Sequence, residues 1–263
     1  VNILCSTVLH ISIDRLNYII ANIEKFYIEY QKPKRDKNGA KRLNKPQYQE
    51  RYGKYWSRTI NPPHEELKNI QKCINGYLVN NIPMPDFAYG GVKEKDNILN
   101  AKQHKGQKYV FQTDLTDFYP FISCKRVYEM FVRVGFSADV ASKLTKLTTF
   151  KGHLPQGAPT STTIANLVFE PTGRKLQALS VEYKLRMTTF VDDVIEFISF
   201  MCNRSSGAVG IPNILVWTYY FWKKDCESGF IINNPDYYVR QSFQKLLYRL
   251  NQPLMRIDQS AFV

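Results

Sequence analysis

Two adjacent acidic residues, Asp192 and Asp193, stand between two apolar segments at residues 185–190 and 194–200. Both segments are rich in β-branched and aromatic residues and are predicted to be strands. Because neighbouring side chains of a strand point to opposite faces, the two carboxylates can converge only where the chain turns. A hairpin with Asp-Asp at its tip would suit a hard cation such as Mg²⁺. Aspartates are also common in turns without a metal, since they hydrogen-bond to the nearby backbone.

A third acidic residue, Asp114, lies at the end of another predicted strand, residues 108–115. A loop with two glycines and two prolines, residues 152–161, separates it in sequence from the Asp-Asp hairpin. If the strand and the hairpin lie side by side, three carboxylates converge, and their repulsion raises their pKa values unless cations neutralise them. Two Mg²⁺ ions bridged by carboxylates support in-line phosphoryl transfer. The acidic residues therefore predict a nucleotidyltransferase, provided that the fold brings them together.

Helices with one apolar face are predicted to position these strands. The first begins near Ser12, and the second opens within residues 61–66, where prolines and glutamates are typical of a helix start. A short helix is expected over residues 97–104, and a longer helical stretch with a central break over residues 125–147. The helix after the glycine-containing loop should kink or restart near Pro171. No repeat or linker is evident, which predicts one compact unit of subdomains.

The net charge of +13 is concentrated in the first part of the chain, since residues 1–110 carry +9 of it. Residues 31–46 hold seven Lys or Arg and one Asp, with two prolines and a glycine, and are predicted to be a loop. Four aromatic residues among further cations follow: Tyr48, Tyr52, Tyr55 and Trp56. This pattern favours phosphate contact and base stacking, although basic surfaces also serve solubility. The candidate nucleic-acid contacts are Lys34, Arg35, Lys41, Arg42, Arg51 and Lys54.

The cysteines and histidines do not predict a zinc site. The five cysteines form no Cys-x-x-Cys pair, and the four histidines are scattered. Reduced cysteines fit a reducing compartment, and the sequence has neither a run of about 18 apolar residues nor a signal peptide. We therefore expect a soluble, intracellular protein, by default cytoplasmic, with no membrane contact.

Four ordered motifs resemble those of bacterial reverse transcriptases. Residues 105–122 resemble the first palm motif, and residues 154–161 with the helix that follows them resemble the Pro-Gln-Gly motif. Residues 190–193, Phe-Val-Asp-Asp, are similar to the Tyr-x-Asp-Asp box. In the basic part, residues 58–63 and 101–104 are similar to finger motifs of retron and defence-associated, abortive-infection-like members. Order and spacing agree over roughly residues 50–235, so the chain resembles this group over most of its length.

The resemblance implies roles for individual residues. The metal ligands would be Asp114, Asp192 and Asp193, with the backbone of Leu115. The residues around the incoming nucleotide would be Phe118, Tyr119, Gln156, Gly157, Arg58 and Lys68. Of these, Tyr119 would be a steric gate that occupies the space of a ribose 2′-OH and so favours dNTPs. The same residue types also have ordinary structural roles: a core tyrosine, a turn glutamine and surface cations.

The fold implied is α+β, a right-hand polymerase palm with an antiparallel sheet, helical fingers and a short or absent thumb. Residues 1–108 would form mostly helical, basic fingers, residues 109–235 the palm, and residues 236–263 the start of a thumb or a C-terminal connection. Part of residues 125–150 would pack with the fingers. The implied activity is RNA-directed DNA synthesis with two Mg²⁺ ions, or Mn²⁺, on a dedicated non-coding RNA in anti-phage defence. RNA, its cDNA product and dNTPs would be the partners, together with a second copy or an accessory defence protein.

The sequence also departs from the family pattern. Phe190 replaces the usual Tyr, and Tyr89-Gly90-Gly91 stands where many relatives have a His-Gly-Phe type turn. The lysine that commonly follows a motif like Gly229–Asn233 is not found within the next few residues. Two alternatives are open: a catalytically silent palm that binds nucleic acid, and an RNA-directed RNA polymerase. Tyr119 favours dNTPs over the second of these.

Overall fold

The computed structural model describes residues 1–36, 38–44, 46, 49, 54–105, 109–115, 118–182, 185–191 and 193–198. Seven α-helices are described: α1 (Ile13–Ala21), α2 (Glu65–Asn81), α3 (Asn97–Lys102), α4 (Phe118–Phe121), α5 (Cys124–Arg133), α6 (Ala138–Thr148) and α7 (Ser161–Glu182). Five strands are described: β1 (Tyr30–Pro33), β2 (Ser57–Ile60), β3 (Tyr109–Asp114), β4 (Leu185–Phe190) and β5 (Asp193–Ile198). A π-helical segment, Leu4–Leu9, precedes α1, and a 3₁₀ turn, Ile23–Phe26, follows it.

Capping side chains mark the starts of helices α1 and α3. The Ser12 hydroxyl accepts a hydrogen bond from the Arg15 amide and starts α1, while the Asp96 carboxylate caps α3 in the same way. Two glutamates occupy the first turn of α2, where they complement the helix dipole. The helical stretch predicted over residues 125–147 is present as α5 and α6, with a break at Gly135, whose φ is +103°.

The core lies where α1, α2 and α5–α7 pack together. Its largest fully buried side chains are Phe131, Leu16, Ile19, Leu67, Ile74, Leu78, Ile122, Met130, Leu144, Leu147 and Leu154. Burying each side chain of this size contributes about 1.5–3 kcal/mol. A smaller cluster, formed by Phe87, Ala88, Leu176 and Met187, lies between α7 and β4. Leu115 packs against both clusters, so the chain just after β3 is anchored to the whole core.

Strands β3, β5 and β4 form an antiparallel sheet in that order. The predicted hairpin is confirmed: β4 pairs with β5 from Leu185 opposite Ile198 to Phe190 opposite Asp193. Strand β3 adds to the other edge of β5. The described residues therefore form a mixed helix and strand structure with a small antiparallel sheet, compatible with part of a polymerase palm.

The basic segment 31–46 is not the plain loop that its composition predicted. Tyr30–Pro33 pairs with Ser57–Ile60 as an antiparallel hairpin, and bridges join Arg35 to Lys41 and Leu43 to Tyr55. The loop prediction is wrong for residues 31–33, because pairing with a distant strand, rather than local composition, decides whether a Lys-rich segment becomes extended. The first part of the chain thus combines helices with a β structure, which we call the basic β finger (residues 30–36, 40–44 and 54–60).

Helix α7 runs without interruption through Pro171, where a kink or restart was predicted. Proline has no amide hydrogen, so the Leu167 carbonyl one turn earlier lacks its usual partner. The Arg133 guanidinium donates to this carbonyl instead and lies within 3.9 Å of the Glu170 carboxylate. A cation from α5 therefore replaces the missing helical hydrogen bond. Among the helices that the structure describes, none has the length and apolar character needed to cross a bilayer.

Candidate active site

The sheet places two of the three predicted metal ligands on adjacent strands. Asp114 is the last residue of β3 and Asp193 the first of β5, and the register sets them directly opposite each other. Paired strands lie about 4.8 Å apart, so the two backbones are within reach of one ion cluster. Asp192 lies outside the described residues. Among the side chains that are described, no three His, Cys, Asp or Glu residues form a metal site, so the carboxylate cluster itself stays a prediction.

The turn between β4 and β5 holds an unusual backbone conformation. Phe190 pairs with Asp193, which leaves a two-residue turn, and Val191 has φ +60°. Two-residue hairpin turns need a positive φ at their first position, which normally selects Gly, Asn or Asp. A β-branched residue there costs on the order of 1–3 kcal/mol, and such strain clusters at functional sites.

Residues 87–91 hold this turn from one side. The Tyr89 amide donates to the Thr189 carbonyl (2.8 Å), and the Thr189 amide donates to the Phe87 carbonyl (2.8 Å), so this segment pairs with β4. At the end of the segment, a Cβ added to Gly90 would lie 2.5 Å from the Val191 nitrogen. Only glycine permits the segment to approach the turn this closely.

One face of α7 supports the 87–91 segment. The Asn166 side-chain amide donates to the Gly90 carbonyl (2.9 Å), and Gly91, with φ +68°, lies so close to Thr162 that an added Cβ would be 2.3 Å from its methyl carbon. Residues 162 and 166 are one turn apart on the same helix face. The helix after the Pro-Gln-Gly loop thus contacts the Asp-Asp turn through this intermediate segment.

Phe118 and Tyr119, which follow Asp114 in the sequence, contact α7. Phe118 is buried and meets the Phe169 ring edge to face, with centroids 6.2 Å apart. Its predicted nucleotide contact would therefore come from its backbone. Tyr119 is half-buried, and its hydroxyl shares a 3.0 Å hydrogen bond with the Thr162 hydroxyl. The candidate steric gate is consequently fixed to the first turn of α7.

The Pro-Gln-Gly loop is hydrogen-bonded on one side to the chain between α4 and α5 and on the other to the residue that follows the basic β finger. The Leu154 amide donates to the Ile122 carbonyl (2.9 Å), and the Ser161 hydroxyl donates to the Pro155 carbonyl (2.6 Å). On the other side, the Asn61 amide donates to the Gln156 carbonyl (2.7 Å).

Gly157, with φ +109°, leaves just enough room for Ile60, since an added Cβ would lie 3.0 Å from its side chain. Strand β2, which carries the exposed Arg58, therefore ends at this loop. Lys68, the other candidate triphosphate cation, lies on α2, where its ammonium is 3.7 Å from the Glu65 carboxylate. This ion pair therefore joins Lys68 to a residue three positions earlier on the same helix.

The basic β finger arranges its cations around two aromatic rings. Lys34 and Arg42 both lie over the Trp56 ring, at 4.4 and 4.8 Å from its centroid. Lys41 and Lys54 lie 5.3 and 5.8 Å from the Tyr55 ring centroid.

Backbone hydrogen bonds fix this arrangement: the Lys34 amide donates to Trp56, and the Trp56 amide donates to Arg42. The Arg35 guanidinium donates to the Gly39 carbonyl (2.6 Å). No ion pair of the described residues involves these cations, so their charge is available to an anionic partner. Arg51 lies outside the described residues.

His104, just after the short helix α3, links this helix to strand β4 of the β3–β5–β4 sheet. Its Nε2 lies 2.6 Å from the Thr188 hydroxyl on β4, and the side chain is 9% exposed. Burial, with a smaller contribution from Arg186, lowers the pKa of His104 to about 4. The imidazole is therefore neutral at pH 7 and serves as a hydrogen-bonding link rather than as a cation.

Sequence reasoning placed Gly90 in a turn and Asn166 in the helix of the Pro-Gln-Gly motif, but it predicted no contact for them or for Thr162. In the structure, Thr162 bonds to the candidate gate, Gly90 approaches the β4–β5 turn and Asn166 bonds to Gly90. Asn166 gave one usable signal, since it is a polar residue within a helix whose neighbouring positions are apolar and buried. The contacts themselves join positions up to 101 residues apart in the chain. No local pattern predicts such contacts.

Three curated proteins are similar to about half of this chain. The retron Ec86 reverse transcriptase of Escherichia coli is 31% identical over 137 residues, which are 52% of this chain and 43% of that protein. The retron Se72 reverse transcriptase of Salmonella heidelberg (strain 579083-10) is 36% identical over 138 residues, 52% of this chain and 36% of that protein. The retron Mx162 reverse transcriptase of Myxococcus xanthus is 30% identical over 155 residues, 52% of this chain and 32% of that protein.

The chain thus spans less than half the length of these relatives. A family model described as anaerobic ribonucleoside-triphosphate reductase matches residues 169–263, which is also less than half of the chain. About half of this chain is therefore similar in sequence to retron reverse transcriptases, which confirms the resemblance that its motifs predict.

Proposed function

We propose that this chain is an RNA-directed DNA polymerase that adds dNTPs to a primer 3′ end. The observation that carries the proposal is the register that sets Asp114 opposite Asp193 in the β3–β5–β4 sheet. The similarity to retron reverse transcriptases supports the same activity. The corresponding fold would be a polymerase palm with fingers, with the domain boundaries that the sequence motifs predict.

The donor set fits two divalent cations. Asp114, Asp192 and Asp193 offer carboxylate oxygens, and Leu115 adds a backbone carbonyl, which are the hard ligands that Mg²⁺ and Mn²⁺ prefer. When bound, such ions supply activation of the attacking oxygen and stabilisation of the charge on the leaving group. The backbone adjacency of Asp114 and Asp193 agrees with ligands shared between two strands.

The remaining site residues would bind and orient the nucleotide. Tyr119 would exclude a ribose 2′-OH, while the backbone around Phe118 would hold the triphosphate. Gln156 and Gly157, at the junction of loop and β2, would line the nucleotide and its templating base. Arg58 would neutralise phosphate charge from the end of the basic β finger, and Lys68 would do so only if it leaves Glu65.

RNA is the partner that the basic β finger suits, with cDNA as its product. Cations grouped around Trp56 and Tyr55 can contact phosphates while the rings stack on bases. Because the similar curated proteins are retron enzymes by name, we infer a dedicated non-coding RNA as the template and a role in anti-phage defence. An accessory defence protein or a second copy would complete the assembly. Of the five cysteines, the structure describes Cys5, Cys73 and Cys124, which are unpaired, and this supports the reducing prokaryotic cytoplasm as the proposed location.

The test is an incorporation assay on the purified chain with its co-purified RNA. Labelled dNTPs and, separately, labelled rNTPs are supplied with Mg²⁺, with and without a chelator. We expect dNTP incorporation that the chelator abolishes and that Asp192→Asn abolishes while RNA binding persists. The control Asp139→Asn changes an exposed acid on α6 and should be neutral.

Each other outcome favours a different function. Incorporation of rNTPs instead of dNTPs would identify an RNA-directed RNA polymerase. RNA binding without any incorporation would identify a catalytically silent binding module. Full activity in Asp192→Asn would contradict the assigned metal site.

A further inference from the structure

Thr162, the second residue of α7, lies between two parts of the candidate site. Its hydroxyl is 3.0 Å from the Tyr119 hydroxyl. Its methyl group occupies the space that a side chain at position 91 would need, since an added Cβ on Gly91 would lie 2.3 Å from it. Close packing of the methyl against Gly91 fixes the Thr162 rotamer and so directs its hydroxyl toward Tyr119.

The Tyr119 ring is constrained at both ends. Near its base, the Tyr119 ring lies 5.9 Å, between centroids, from the ring of the preceding residue Phe118. Phe118 is itself buried against Phe169. At its tip, the hydroxyl bonds to Thr162. A ring held only at its base can swing about χ1, whereas a hydrogen bond at its hydroxyl opposes that swing. The Thr162 contact therefore helps to hold the tip of the ring in place, beside the packing of the ring against the core.

We propose that Thr162 is a positioning residue for sugar selection: it fixes the Tyr119 ring where it excludes the 2′-OH of an incoming rNTP. The inference rests on the proposed polymerase function and on Tyr119 as its steric gate. A steric gate excludes the 2′-OH only while its ring stays in place. A ring that can swing away leaves room for the ribose of an rNTP. The helix that follows the Pro-Gln-Gly loop would then set substrate choice through a residue that touches no nucleotide.

The test compares variants that separate shape from hydrogen bonding. Thr162→Val keeps the branched shape and removes the hydroxyl, Thr162→Ser keeps the hydroxyl, and Tyr119→Phe removes the other partner. We expect Thr162→Val and Tyr119→Phe each to lower the dNTP-over-rNTP ratio of kcat/KM about 3- to 10-fold, the range of one neutral hydrogen bond. The change should lie mainly in the KM for rNTPs, and Thr162→Ser should keep most of the discrimination.

The double variant and a truncated gate complete the design. If both single changes act through one bond, Thr162→Val with Tyr119→Phe lowers the ratio no further than either alone. An unchanged ratio in both single variants, with the ratio lost in Tyr119→Ala, would overturn the role of Thr162 while the gate stands. An unchanged ratio in Tyr119→Ala would overturn the gate and the inference together. Absence of dNTP incorporation by the unmodified chain would instead refute the proposed function.

Discussion

Asp114 and Asp193 stand directly opposite each other across β3 and β5, each at the end of its strand. They are separated by 78 intervening residues, which include four helices and the Pro-Gln-Gly loop. The antiparallel register places the backbones of the two residues side by side, at the end of the sheet where the β4–β5 turn lies. This backbone placement supports the proposed metal site.

Asp114→Asn should reduce dNTP incorporation about 100-fold or more, because an amide oxygen is a weaker ligand than a carboxylate. The residue ends a strand, so the change should leave folding intact. Incorporation is measured against Mg²⁺ and Mn²⁺ concentration, with thermal unfolding followed in parallel. Wild-type rates at saturating metal would remove Asp114 from the site.

Gly90→Ala should lower both stability and incorporation, because the new methyl would meet the Val191 backbone at 2.5 Å and displace the Asp-Asp turn. Overpacking of this kind costs about 1–3 kcal/mol. The matched control is Gly76→Ala in α2, where nothing lies within 4 Å of the added Cβ. That control should instead stabilise the protein by about 0.5–1 kcal/mol. For both variants, urea unfolding measures the free energy of unfolding and the incorporation assay measures activity. Equal changes in Gly90→Ala and Gly76→Ala would contradict the packing argument.

Lys34→Gln combined with Arg42→Gln should weaken RNA binding and reduce the salt dependence of its affinity. Each lost phosphate contact lowers the slope of log K against log salt by about one, so the pair should lower it by about two. Titrations at several salt concentrations measure the slope. The control Lys125→Gln removes an exposed cation of α5 that is paired with Glu129. If the control changes the slope as much as the double variant, the basic β finger is not the RNA contact.

Acid should destabilise the protein through His104. Its folded-state pKa is about 4, below the ordinary value of 6.5, so between these values the unfolded chain takes up a proton that the folded chain does not. Stability is therefore fully present above pH 6.5 and is lost as the pH falls toward 4. Urea unfolding at pH 7.5, 6 and 5 measures the loss. In His104→Gln, which can still bond to Thr188, the loss over this interval should be smaller, and an identical pH profile would contradict the assignment.

Local sequence determined most helices and strands of the described part. Capping residues such as Ser12 and Asp96, apolar periodicity and alternating β-branched residues act over a few positions, so the α1 start, β3 and the β4–β5 hairpin were predictable. The ordered motifs likewise identified the resemblance to retron reverse transcriptases. The resemblance is weaker after the hairpin. There, the lysine that commonly follows a motif like Gly229–Asn233 is not found, and the reductase family model matches residues 169–263.

Tertiary structure decided what local pattern could not. Residues 31–33 became part of a strand because β2 offered a pairing partner. The 87–91 segment reached the Asp-Asp turn because Gly90 has no side chain, and Tyr119 acquired a fixed position because α7 brings Thr162 to its hydroxyl. Each of these contacts joins residues far apart in the chain. Their geometry depends on the packing of whole elements, whereas the amino-acid sequence by itself determined which residues could do the chemistry.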